Sequence, residues 1–291
     1  MDNTFYAAKI MAIGNAFYLV EVHEHNQHVG TIAKALGASD AGHAAALCHD
    51  LGKIGNLERE IANRKPSNAQ AYINAYVDWL IEKARLDKSL KNAAQKQHFA
   101  LAMLRKGTWQ ERYNAIKAIL NNLGNDRLQE LVGLSVSPFP RHADGIDRRV
   151  ENDLRQAGCP SEMVHYAFEL IRLHHSFRVD RIVEVASQLE ARLAGVSGQQ
   201  FVRDLHTLIS ADNLASGLYE RALVATDASF SFGDPAQEIF LLHDLEGECT
   251  VKNRNGSENN QLQVQVQLEW KAASSSQKID LELVYHVVEV K

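Results

Sequence analysis

Residues 41–53 read AGHAAALCHDLGK, and how this stretch is satisfied decides how the chain folds. Alanine and leucine favour a helix. Ser39 or Asp40, just upstream, can cap one that runs through the whole segment. At the far end of that apolar helix stand an imidazole and a carboxylate, His49 and Asp50. Burying such a pair is costly unless something satisfies both. A divalent metal is the simplest partner, because it takes the imidazole lone pair and holds the carboxylate ionised. The helix therefore predicts a core built around a polar centre to which other segments must contribute.

Three further segments qualify. Upstream, HNQHVGTIAKALG places His25, Val29, Ile32 and Leu36 on one face of a 3.6-residue period, with Gly37 positioned to end the helix. His25 thus occupies a place on the buried stripe; His28 and His23 are the alternatives. Downstream, SEMVHYAFELIRLHHSF aligns Val164, Phe168, Ile171 and His175 and closes on His174-His175. In GQQFVRDLHTLISADNLASGLYERAL, Asp212 continues the stripe of Leu205, Leu208 and Ile209, where a leucine would be expected. Taken singly, a buried histidine is usually just hydrogen-bonded and a late aspartate often caps a neighbour. His43, His98, His165, His206, His243 and His286 are read in that way. Four helices each carrying a metal-type side chain on the core-facing stripe favour one shared site over four separate explanations.

The order of these motifs (a histidine helix, AALCHDLGKIG, LIRLHHS, then ADNLAS) resembles the HD-domain metal-dependent phosphohydrolase superfamily over about residues 20–225, most specifically at HDLGK. Within it, the extra histidine in FPRHADG, the doubled His174-His175 and the ADNLAS ending look like the CRISPR-associated HD nucleases that work with the interference helicase. ADNLASG also looks like a stretch of the CRISPR polymerase-cyclase large subunits. Those commonly carry the HD pair first, whereas here His25 precedes it, which favours the helicase-associated type or an unpermuted relative. The resemblance implies a mainly α fold, an HD-type helical bundle. It implies that His25, His49, Asp50 and Asp212 hold one metal and that Asp50 bridges to a second held by His142, His174 and His175. Asp144 or Asp147 could compete with His142. Asp50 and Lys53 would be the catalytic pair, with Lys53 contacting a phosphate oxygen, and Ser216 would be a hydrogen-bond donor behind the ligands rather than a nucleophile.

Nitrogen and carboxylate ligands without thiolate suit two ions of manganese, nickel, iron, cobalt or zinc better than magnesium. Two such ions would clamp a phosphodiester and activate water. The expected activity is hydrolysis of single-stranded DNA or RNA, as an endonuclease or exonuclease in CRISPR interference and antiviral defence, with a helicase or RNA-guided complex as partner. An HD phosphohydrolase of nucleotides or cyclic dinucleotides is the first alternative and a non-catalytic HD scaffold the second.

The charge distribution bears on the substrate. At −5 overall, the chain has no general positive field for nucleic acid or membrane. Residues 83–117, however, hold nine Lys or Arg against two acids, a local +7 that leaves −12 for the remainder. This is either a solvated helical face or a phosphate-tracking surface. On the second view Lys91, Lys96, Arg105 and Lys106 follow the backbone, Trp109 or Tyr113 stacks on bases, and Arg141, Arg148 and Arg149 extend the path.

Near residue 230 the period changes from 3.6 to 2. QLQVQVQLEW and KIDLELVYHV alternate apolar with polar residues across a KAASSSQ connection, which predicts a hairpin. IFLLH and ECTVKN are candidate strands before it, separated from it by the turn-rich NRNGSENN. The expected organisation is a helical domain over 1–230, with a helical insert at about 56–135 and a polar helix from about Asp144, followed by a β-rich appendage over 235–291. An exposed edge of that hairpin could pair with a partner. Three dispersed cysteines exclude a disulfide scaffold. The opening residues lack a signal-peptide pattern and no run of eighteen apolar residues occurs, so no membrane span and a cytoplasmic location are expected.

Overall fold

The structure, a computed structural model, describes residues 4–13, 16–54, 102–104, 149–176, 178–224, 229–233, 245–256, 261–272 and 275–290. Helices dominate its centre. Helix α1 (Val22–Ala35) starts where the Glu21 carboxylate accepts from the Glu24 amide at 2.9 Å. It stops at Leu36, where Gly37 turns the chain with φ +89°, a conformation side chains with a Cβ resist. Helix α2 (Asp40–Cys48) is capped by Ser39, whose hydroxyl accepts from the Gly42 amide at 3.1 Å. Helices α3 (Arg149–Gln156), α4 (Val164–Leu173), α5 (Val179–Arg192) and α6 (Gly198–Val224) follow. Helix α6 matches the predicted long segment through Asp212.

The helix predicted to continue through Lys53 does not do so. His49 is the C-cap of α2, His49 and Asp50 lie in a turn, and residues 51–54 resume helical geometry. The imidazole itself competes for the backbone, because His49 Nδ1 takes the Ala46 carbonyl at 2.8 Å. The turn lets the adjacent His and Asp side chains face the same centre.

The amino-terminal region corrects a second expectation. The helical pattern was expected from the first residues, yet β1 (Thr4–Ile13) and β2 (Ala16–Glu21) form an antiparallel hairpin. Aromatic and β-branched residues fill TFYAAKIMAI and AFYLVE, and a Gly14-Asn15 dipeptide links them, a composition that suits strands. Their partners are far away in sequence. β1 pairs with β3 (Ala102–Leu104), a strand inside the region expected to be a helical insert, and β2 pairs with β8 (Val288–Val290).

The second sheet is an antiparallel meander of β4 (Ser229–Phe232), β5 (Gly247–Gly256), β6 (Gln261–Ala272) and β7 (Ser275–His286). The predicted hairpin is β6–β7, with tighter geometry than expected. Ladder pairing runs to Ala272↔Ser275, so most of KAASSSQ belongs to strands. β5 likewise extends through Asn253–Gly256, part of the stretch read as a turn, after a bulge between Val251 and Asn253. The IFLLH strand lies outside the described residues.

One hydrophobic core joins helices and meander. Val264, Val266, Leu268 and Trp270 of β6 and Leu283 and Tyr285 of β7 are buried, while their alternating neighbours face outward. The segment expected to form an appendage is thus packed against the helical body, and the chain crosses from one sheet to the other between β7 and β8. The edge of β7 near its end is also occupied. His28 of α1 donates to the Val284 carbonyl at 2.9 Å, and the Glu24 carboxylate accepts from the His286 amide at 3.0 Å.

Candidate metal centre

Helix α2 is held at its amino end by a carboxylate the sequence analysis did not single out. Asp204 of α6 is fully buried and accepts from the Ser39 amide at 3.0 Å, the Ser39 hydroxyl at 2.5 Å and the Tyr166 hydroxyl of α4 at 2.7 Å. A Cβ on Gly42 would meet the Asp204 carboxyl at 2.9 Å, so glycine is needed for this close approach. Burial and Asp204 together push the Tyr166 phenol well above its ordinary range, which keeps it a donor. The signal for Asp204 was available. It lies four residues before Leu208 and seven before Ala211, a carboxylate on an apolar stripe like Asp212.

Two turns further along the same pair of helices, the sequence-predicted ligands meet. His25 of α1, His49 and Asp50 after α2, His174 and His175 after α4, and Asp212 of α6 form three overlapping groups: His25, His49 and Asp212; His49, Asp50 and His174; and His174, His175 and Asp212. Within each group the ligand atoms lie within 4.8 Å of one another. His25 Nε2 is 3.0 Å from Asp212 Oδ1 and 3.8 Å from Asp50 Oδ2. His49 Nε2 is 3.7 Å from Asp50 Oδ2 and 3.8 Å from Asp212 Oδ1. Atoms sharing one ion at about 2.1 Å would stand about 3–3.5 Å apart, so small adjustments bring this set into a coordination sphere.

The protonation pattern fits a metal. A carbonyl can only accept, so His49 Nδ1 donates to Ala46, and His174 Nδ1 donates to the Ile171 carbonyl at 2.5 Å. Each ring proton is thereby fixed on Nδ1 and the lone pair on Nε2, the arrangement that metal-ligating histidines adopt. His49 Nε2 is buried and has no hydrogen-bond partner among the described residues. Leaving such an atom without a partner costs stability, which a cation facing it would restore. Burial alone would lower the His49 pKa, but Asp50 and Asp212 outweigh it and raise it. Burial would raise the Asp212 pKa, but His25 and His49 outweigh it and hold the carboxyl well below its ordinary range.

The spacing preference for His25 over its neighbours agrees with the fold. His23 is exposed, and His28 is turned toward Val284 and stacks on Tyr285 with ring centroids 4.2 Å apart. His175 is exposed, with its ring 3.9 Å from that of His174. Lys53 lies against the same group. It is buried, with 3% exposure, and its ammonium donates to Asp50 Oδ2 at 2.5 Å, which orients that carboxylate. Ser216 is buried beside His25. His142 and its competitors Asp144 and Asp147 lie outside the described residues, as do the side chains of Lys91, Lys96, Arg105, Lys106, Trp109, Tyr113, Arg141, Arg148 and Arg149.

The three cysteines are free and buried, and burial pushes the Cys48 and Cys249 thiols up to about 12 and Cys159 to about 11. None is poised as a nucleophile. Among the described residues no helix is long and apolar enough to cross a membrane. No family model, curated protein or solved structure matches the chain.

Proposed function

We propose that this chain is a divalent-metal-dependent phosphodiester hydrolase acting on nucleic acid. The observation that carries the reading is the convergence on buried His49 Nε2 of two carboxylates and further imidazoles from three other parts of the chain. His25, His49, Asp50 and Asp212 would hold one ion. Asp50 and Asp212 each also lie within reach of His174, so the second position would draw on His174 and His175 with either acid. Bound divalent ions supply a polarised phosphoryl group and a water acidic enough to act near neutral pH. The chain itself supplies orientation. The Ala46 and Ile171 carbonyls aim two imidazoles, Lys53 aims and partly neutralises Asp50, and the surrounding alanine- and leucine-rich helices keep bulk water away.

Single-stranded DNA or RNA is the substrate favoured by the basic stretch at 83–117 and by the likeness to CRISPR-associated HD nucleases, with a helicase or RNA-guided complex as recruiting partner and antiviral defence as the setting. The test is incubation of the purified chain with Mn²⁺ and, separately, single-stranded DNA, RNA, mononucleotides and cyclic dinucleotides. Degradation of polymer is expected. Turnover of nucleotides with polymer left intact would replace the nuclease reading with that of a nucleotide phosphohydrolase. Charge reversal at Lys91, Lys96, Arg105 and Lys106 is expected to slow polymer cleavage and spare a small chromogenic phosphodiester; equal loss on both would remove the polymer path.

A further inference from the structure

The three buried histidines of the centre are not supported alike. His49 and His174 each donate Nδ1–H to a backbone carbonyl three residues earlier. His25 directs Nε2 at Asp212. Ligation through that nitrogen moves the ring proton to Nδ1, which then needs an acceptor. His25 lines a small cavity, on the scale of one water molecule, whose other walls are Ala8, Val20, Ala215, Ser216, Tyr219 and Tyr285. Three hydroxyl-bearing residues, Ser216, Tyr219 and Tyr285, therefore border the same space as this imidazole. The Tyr285 hydroxyl is buried and without a hydrogen-bond partner among the described residues. Its ring is clamped between His28 and Tyr219, with centroids 4.2 and 5.1 Å away, so the hydroxyl is held in place. Burial also pushes this phenol well above its ordinary range, so it stays protonated.

We infer that Tyr285, carried by the carboxy-terminal meander, is a positioning residue for the metal ligand His25, acting with Ser216 through one water held in this cavity. That water accepts from His25 Nδ1 and from the Tyr285 hydroxyl and donates to Ser216, which gives His25 the orienting partner that carbonyls give His49 and His174. The inference rests on His25 being a metal ligand. It also gives the β-meander a part in the centre, since β7 brings its hydroxyl to a ligand 260 residues earlier.

The test is Mn²⁺ affinity of the full chain by calorimetry, in wild type, Tyr285→Phe, Ser216→Ala, His25→Ala and the His25→Ala/Tyr285→Phe double variant, with melting of each metal-free protein as a second readout. Tyr285→Phe keeps the packed ring and is expected to weaken Mn²⁺ binding about tenfold without lowering the metal-free melting temperature. Ser216→Ala is expected to weaken it in the same direction. In the His25→Ala background Tyr285→Phe is expected to add nothing, because the interaction it removes acts through His25. Wild-type affinity in Tyr285→Phe, with His25→Ala weakened, would overturn the positioning role and leave the metal centre standing. Loss of the same size in both backgrounds would overturn it as well, as a general effect on the fold. Wild-type affinity in His25→Ala would remove both the positioning role and His25's place in the centre.

Discussion

The two ends of α2 each meet a carboxylate from α6, eight residues apart, and the surroundings make different things of them. At the amino end Asp204 is ringed by groups that carry protons: one amide and two hydroxyls. At the carboxy end Asp212 faces imidazoles, and the His49 nitrogen it shares with Asp50 carries a lone pair and no hydrogen-bond partner among the described residues. The first acid is complete without any ligand and ties α2, α4 and α6 together. The second has His25 Nε2 at 3.0 Å, and the His49 nitrogen beside it is left for a proton or a cation to complete. Donor count, rather than residue type, separates a structural carboxylate from a candidate metal-binding one.

The largest effect that would test this contrast is at the carboxy end. Asp50→Ala removes the acid within reach of His25, His49 and His174, and is expected to abolish hydrolysis and strip metal together. Two ions per chain retained in that variant, by elemental analysis, would show the ligand geometry to be wrong. Asp204→Ala should do the reverse. It leaves the Ser39 and Tyr166 donors buried without an acceptor and is expected to cost about 3 kcal/mol in urea unfolding of the metal-free protein. Asp212→Ala is expected to cost clearly less in the same assay while weakening metal binding far more.

The pH dependence sharpens the contrast at about 1.4 kcal/mol per unit. Because Asp50 and Asp212 raise the His49 pKa against the opposing effect of burial, protons compete with metal at this nitrogen. Metal affinity should therefore fall by up to tenfold per unit as pH drops through that raised value. The metal-free fold shows the opposite sign. The stabilisation from protonated His49 is fully present below the unfolded-state pKa and is lost as pH rises through the folded one. Titrations of affinity and of metal-free stability at matched pH would expose the crossing, and affinity independent of pH between 5 and 8 would break it. The smallest effect belongs to Ser39→Ala, which removes the α2 cap and one donor to Asp204. It is expected to cost about 1 kcal/mol of stability and to leave metal content unchanged.

Much of the centre was legible in the chain itself. A polar side chain on an apolar helical stripe is informative because it must be satisfied in three dimensions, and His25 and Asp212 were found by that rule, His49-Asp50 by its place at the end of an apolar helix; the stripe before LHHS pointed to His175, which is exposed, whereas His174 beside it is buried. The same rule would have found Asp204, whose stripe position is equally anomalous. Two local features escaped it. The break of α2 at His49 follows from a side chain that competes for the Ala46 carbonyl, and the Lys53 contact with Asp50 joins residues just beyond it. Periodicity averages over several turns and does not register a competition at a single residue.

The order of the helices, the residue types able to ligate a cation and the alternation of β6 and β7 were set by the sequence alone, because each depends on spacing within one short segment. The pairing of β2 with β8, the contact of α1 with β7 and the presence of Tyr285 beside His25 were decided only by the tertiary structure. Each joins residues about 260 or more positions apart, and local propensity holds no information about which distant strand or helix will cover a given face.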